Sequence, residues 1–566
     1  MRHYRSDLPK PEFVIGLVGP AGTDLTGVST ALLSALKPYD YKTFIIKVSN
    51  LIAEKCADGV RDELRECSFE RRIKILQDEG DKFRKHVGFG GALVPLICSK
   101  IRYKRQEFLK AEGCITDSDE IELYNHCFII NSLKHPDEIK MLRHIYGEKF
   151  ILLSCFSHLE DRKQYLKKEI SKYYKTVKGK SYDYEIKNII KIDYKRDGTN
   201  LGQNVSSAFH NGDFFLNIKG DWQKKIEKFL RMFFNNPYIT PNKHEMSMFS
   251  AYSASLRSSD LSRQVGVAIY SENSDLLVTG CNEVPKVGGG AFWEGGQGID
   301  NRDWAHGLDF NAVKKLDVIQ ELIEFLDGEG VKFADLGNLP IERIAEELIS
   351  GSRSEKFAEL RIANLIEFGR VVHAELHAIC ESARRGISLN QSILYSTTFP
   401  CHMCARHIIA VGISEVYYIE PYPKSMATEI YEDEISFDTE RQTEKIAFSP
   451  YEGISPRYFT RIFSATRRKD GLGYSLEWKK ADALPKFVEI SNSHIASELA
   501  AALLIEDAYG IDVKNDGEFF TQFNVDGISY SKISLNSRKA LVRELSALWP
   551  KTKMTSLEKR AEGCIE

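Results

Sequence analysis

His373-Ala374-Glu375 and Pro400-Cys401-His402-Met403-Cys404 bring one imidazole, one carboxyl group and two thiols into a short stretch of chain. One imidazole and two thiolates supply three corners of a tetrahedral zinc site, and the open corner is left for water. A metal held this way lowers the pKa of that water toward neutrality, which makes it a nucleophile at physiological pH. Glu375 is the proton carrier. A structural zinc site would close with a fourth Cys or His, and a bare C-x-x-C can also be redox-active; the proline before Cys401 and the acid beside His373 favour the open, catalytic arrangement. His377, His402 and His407 are alternative ligands, and His373 is preferred because it lies two residues before the acid.

The elements around these residues must bring two segments together. The pattern predicts a helix from Glu375 to Arg385, with Leu376, Ile379 and Cys380 on one side and Gly386 as its stop. A buried strand over Ser392 to Thr397 follows, then a second helix from Pro400 to Val411 ending at Gly412. Each ligand group then sits at the N-terminal end of a helix, where free N–H groups and the helix dipole favour thiolate over thiol.

The H-x-E…P-C-x-x-C arrangement is similar to the signature of zinc-dependent nucleobase deaminases. Upstream, Val265-Gly266-Val267-Ala268-Ile269 and Gly280-Cys281-Asn282-Glu283-Val284-Pro285 resemble the first two strands of the deoxycytidylate deaminase family. Downstream, Tyr395 to Cys401 and Val416 to Tyr422 continue a resemblance that covers most of residues 245 to 460. The long insertion after Pro285, Glu420-Pro421-Tyr422-Pro423-Lys424-Ser425, and the run from Phe448 to Arg457 resemble a narrower family. These are the bacterial anti-phage dCTP deaminases, which join such a domain to an N-terminal P-loop kinase-like module and remove a DNA precursor. The resemblance implies a cytidine deaminase-like α/β/α domain with a mixed sheet, zinc on His373, Cys401 and Cys404, and catalysis by Glu375. It also implies a homo-oligomer and a small nucleotide substrate, dCTP or dCMP. By the same resemblance Asn282 orients the sugar or base, and Lys424 and Arg457 contact phosphate.

At the other end of the chain, Phe13-Val14-Ile15-Gly16-Leu17-Val18 reads as a buried strand, followed by a glycine-rich loop and an apolar-periodic helix to Leu36. This is the order of a P-loop, whose backbone N–H groups cradle phosphates. Gly22 and Gly27 have the P-loop separation and Ser29 stands at the magnesium-binding position, but Val28 replaces the lysine. Asn131, after the strand Cys127 to Ile130, stands where an acid would help hold magnesium. Phosphoryl transfer is therefore not expected, while a nucleotide effector can still bind through the backbone nest. Alternating strand-like and helix-like runs predict a doubly wound α/β domain over residues 1–237. Lys100, Arg102, Lys104 and Arg105 read as a phosphate-meeting lid or a solvated basic face, and Lys172 to Lys195 as an exposed stretch.

Lys plus Arg number 77 and Asp plus Glu 80 among 566 residues, so no overall positive field attracts a nucleic-acid substrate. Eleven cysteines without a regular framework fit a reducing cytoplasm, and no run is long enough to span a membrane. The zinc domain is expected over 238–485 with an insertion at 286–372, and a helical extension over 486–566. Gly288-Gly289-Gly290 followed by Trp293, Asp300, Arg302, Asp303 and Trp304 suits a loop that folds over the site. Leu316 to Leu326 and Ile341 to Leu348 read as amphipathic helices for oligomer or domain contacts.

Overall fold

The computed structural model describes residues 10–112, 123–173, 182–194 and 201–486, apart from Gln297, 332–335, 337–338, Glu359, 422–424, 438–443 and Ala465, together with His494, Ile495, Ser497, Glu498 and Ala501. Two units result: one holds Met1–Thr240 and Thr460–Glu566, the other Pro241–Phe459.

In the first unit, mostly apolar runs form strands that are buried on both faces, as a parallel sheet requires, except at the edge strand Lys42–Lys47. The strands are β1 (Phe13–Val18), β2 (Lys42–Lys47), β3 (His126–Leu133), β4 (Phe150–Phe156) and β5 (Phe214–Asn217), in the order β5-β4-β1-β3-β2. Every pairing among them is parallel. Non-consecutive neighbours on both sides of β1 mean that the chain winds in two directions from it, with helices filling the crossovers.

Three expectations are corrected here. Arg102 and Arg105 are buried, so the basic run is neither a lid nor a solvated face. Arg105 donates to both oxygens of Glu12 (2.7 and 3.0 Å) and both oxygens of Glu498 (3.0 Å each). Burial pushes the Glu12 carboxyl up, but the charge and hydrogen bonds of Arg105, with His494 Nε2 3.7 Å away, bring it down to about 2. The described chain from Thr460 onward therefore joins the first unit, not the zinc domain or a separate extension. Lys10 Nζ donating to Ala481 O and Trp478 Nε1 donating to Phe234 O (3.1 Å) hold it there as well. Finally, the described part of the tyrosine-rich stretch is a helix, Asp183–Tyr194, with Ile186, Ile189 and Asp193 buried. Its apolar residues recur at helical spacing, so lysines and tyrosines between them hid an amphipathic face.

The second unit has a mixed sheet of β6 (Gly266–Tyr270), β7 (Leu276–Cys281), β8 (Ile393–Thr398), β9 (Glu415–Glu420), β10 (Ile435–Ser436) and β11 (Ile446–Pro450). Their order is β10-β11-β9-β8-β6-β7. β6 runs antiparallel to β7 and β8, and β8, β9, β11 and β10 are parallel to one another. The helix Ala374–Arg385 lies on β7, where Gly280 permits close approach: a Cβ there would come within 2.4 Å of Ala374 O and 2.7 Å of Ala378 N. The insertion is clipped at its base by backbone bonds between Glu283 and Val372 (3.1 and 3.2 Å). Its helices Phe310–Gly328 and Ile341–Ser350 share a small core of Ile319, Ile323, Ile344 and Ala345.

Removing Arg105 leaves two buried carboxylates without their countercharge. Arg105→Met is expected to lower the unfolding free energy of the first unit by about 3–5 kcal/mol, read by denaturant titration. Because the folded pKa of Glu12 lies below its unfolded value of ~4.3, its contribution is complete above that value and is lost as pH falls toward about 2. Glu12→Gln should remove that part of the acid sensitivity.

Candidate active site

His373 caps the helix Ala374–Arg385, and Cys401 caps the helix His402–Ala410. The connection through β8 brings these two helix starts together. His373 Nδ1 lies 3.3 Å from Cys401 Sγ and 3.5 Å from Cys404 Sγ, and the three ligand atoms all lie within 4.8 Å of one another. Tetrahedral zinc with Zn–N and Zn–S bonds of ordinary length separates N from S by roughly 3.6 Å, so the donor set fits that metal.

The electrostatics show how tightly these groups are coupled. The hydrogen bond from Cys404 and the neighbouring His373 overcome burial and hold the Cys401 thiol down at about 4. That same bond, with burial, pushes the Cys404 thiol well up. The hydrogen bond with Cys401 raises His373 to about 9. Burial, and then the charge of Cys401, push the Glu375 carboxyl upward, the direction a proton carrier needs.

A cavity of about 400 Å³ opens beside His373, Glu375 and Cys401. Asn282 lines it, with Oδ1 accepting from Val265 N (2.7 Å) and Nδ2 donating to Arg263 O (2.8 Å). Both ends of that side chain are thus committed to backbone. Lys424 lies outside the described residues, and Arg457 is exposed and does not line the cavity. Much of the wall comes from the insertion, from Asp303, Asp309, Asn311 and Lys315 and from Leu365, Ile366, Gly369 and Val371. The glycine and Trp293 segment expected to cover the site instead lines a second cavity, where Arg257 stacks on Trp293 at 3.6 Å. The helix Phe310–Gly328, read as a packing element, supplies site residues. Lys315 and Arg263 were missed because neither belongs to a spaced motif. His377 faces the second cavity, with Nδ1 2.8 Å from Cys281 O.

The glycine loop of the first unit is already engaged. Gly27 N donates to Asp24 Oδ1 (2.8 Å), and Ser29 Oγ donates to Leu25 O and accepts from Asn131 Nδ2. Val28 is buried in the helix, and a Cβ on Gly22 would come within 2.7 Å of Arg162 O. Ala21 N donates to the buried carboxylate of Asp193 at 2.6 Å, and Lys134 pairs with that carboxylate at 2.7 Å. A second group of ligand-type residues, Glu12, His494 and Glu498, is buried in this unit. Arg105 already occupies both of its carboxylates, so its positive charge is supplied by protein.

Residues 241–420 match the cytidine and deoxycytidylate deaminase zinc-binding region. Over these residues the chain is similar to a deaminase zinc-binding region, and its cofactor is zinc. A probable deoxycytidylate deaminase of Drosophila melanogaster is 55% identical over 49 residues, 9% of this chain and 23% of that protein. ComE operon protein 2 of Bacillus subtilis (strain 168) is 40% identical over 53 residues, 9% and 28% of the two chains. The deoxycytidylate deaminase of Enterobacteria phage T4 is 43% identical over 54 residues, 10% and 28%. The chain spans about a quarter of the length of these relatives. Among solved structures, the cyanophage S-TIM5 dCMP deaminase in complex with dCMP and dUMP aligns with 17% identity and a TM-score of 0.21, covering 38% of this chain and all of that one. Among the described residues no helix is long and apolar enough to cross a membrane.

Cys404→Ala should abolish stoichiometric zinc, measured by elemental analysis of the purified protein. Glu375→Gln, which removes no ligand, should retain one zinc per chain.

Proposed function

We propose that the protein hydrolytically deaminates a deoxycytidine nucleotide, dCTP to dUTP with release of ammonia. The observation that carries this reading is the convergence of His373, Cys401 and Cys404 beside the buried carboxyl group of Glu375, at the wall of a nucleotide-sized cavity. A zinc ion on those ligands supplies Lewis-acid activation of water at near-neutral pH. Glu375 takes one proton from the attacking water and delivers it to N3 of the cytosine ring, then takes the remaining proton from the new C4 hydroxyl and gives it to the departing amine. The C4–N bond breaks, a C4–O bond forms, and the products are uracil nucleotide and ammonia.

The triphosphate is preferred because of the resemblance of the insertion and the 448–457 run to anti-phage dCTP deaminases. That resemblance also supports a homo-oligomer and a defence role through loss of a DNA precursor. The names of the relatives favour the second reading, dCMP as substrate. The parallel sheet and glycine loop support a P-loop kinase-like origin for the first unit. With Val28 and Asn131 at two chemical positions, its use is regulatory or structural, and an effector there would have to displace Asp193.

Incubation of the purified protein with each cytosine nucleotide should release ammonia, with dCTP fastest. Glu375→Gln should reduce turnover by about 10²–10⁴-fold while keeping its zinc. Absence of reaction with both dCTP and dCMP, or unchanged turnover in the variant, would reject the reading.

A further inference from the structure

The zinc cavity is lined by six charged side chains: Asp260, Asp303, Asp309, Glu375, Arg263 and Lys315. Five are committed. Asp260 accepts from Ser262 N and Arg263 N (2.8 and 3.1 Å), Asp303 meets Arg370 at 3.2 Å, and Asp309 caps its helix through Ala312 N (2.9 Å). Arg263 lies 3.7 Å from Glu420. Glu375 stands beside the zinc ligands. Lys315 is half-buried in the cavity wall and has neither an ion pair nor a hydrogen bond among the described residues.

A cation in that position is unusual on electrostatic grounds. An ammonium partly withdrawn from water loses hydration and normally regains it through a carboxylate or a carbonyl. Here the helix Phe310–Gly328 offers its other lysine, Lys314, to Asp317 at 2.8 Å and leaves Lys315 turned to the cavity. Four carboxyl groups line the same space, so an anionic ligand entering it meets repulsion unless cations answer. A flexible lysine suits a phosphate whose position varies, because it acts as a mobile point charge.

We propose that Lys315 binds the phosphate of the substrate, so that the insertion selects nucleotides over nucleosides at the zinc site. This rests on the reading of the reaction given above. The ligand class is a pyrimidine deoxynucleotide, and Lys315 acts on its phosphate through binding, without touching the reacting ring atoms.

The test uses full-length, zinc-loaded wild type, Lys315→Ala and Lys315→Arg with dCTP, dCMP and deoxycytidine. In Lys315→Ala the KM for the nucleotides should rise about 10- to 100-fold, the range of one charge-assisted hydrogen bond, with kcat nearly unchanged. Turnover of deoxycytidine should not change, and Lys315→Arg should recover most of the nucleotide affinity. An unchanged nucleotide KM in Lys315→Ala, or an equal loss with deoxycytidine, overturns the assignment. Calorimetric binding of dCTP to the same proteins decides the matter independently of turnover. A wild type that binds dCTP but deaminates no cytosine nucleotide rejects the reaction, whereas equal dCTP affinity in wild type and Lys315→Ala rejects Lys315.

Discussion

An imidazole and two sulfurs from separate segments converge on one point, where the proposed metal would sit, and the second unit is arranged around that convergence. His373 and Cys401 each stand at the N-cap of a helix, so the positive ends of two dipoles point at the same place. Parallel pairing of β8 with β9 fixes the direction of the connecting helix. Gly280 lets the helix carrying Glu375 settle against β7 at backbone distance. Replacing that glycine by a larger residue would move the carboxyl group and the imidazole together, away from the thiols.

The convergence of His373, Cys401 and Cys404 is legible in the sequence because it depends on local signals: N-cap positions, a short buried strand, and stops at Gly386 and Gly412. β1 is legible for the same reason, being apolar from Phe13 to Val18 without interruption. The wall of the cavity is not. Lys315 and Asp309 reach it through an insertion whose path depends on the Glu283–Val372 clip and on a separate small core. Periodicity identified the helix and said nothing of what its polar side faces.

Charge runs misled for a related physical reason. A lysine- and arginine-rich segment reads as solvated unless its acids are known, and those acids can be far away in the chain. Arg105 meets Glu12 and also Glu498, 393 positions away. This clasp orders the end of the described chain against the first strand, and the contacts divide the chain after Phe459, whereas the helical pattern places a boundary at 485. The helix Asp183–Tyr194 escaped notice in the same way, since its buried Asp193 was one acid among many lysines and tyrosines.

The tie between Asp193, Lys134 and the backbone of Ala21 changes what the glycine turn is mechanically. The Asp193 side chain fills the turn and acts as a rivet joining three separate stretches of the first unit. Anything prising that joint open would leave the buried carboxylate of Asp193 without its partners, so the turn resists loosening.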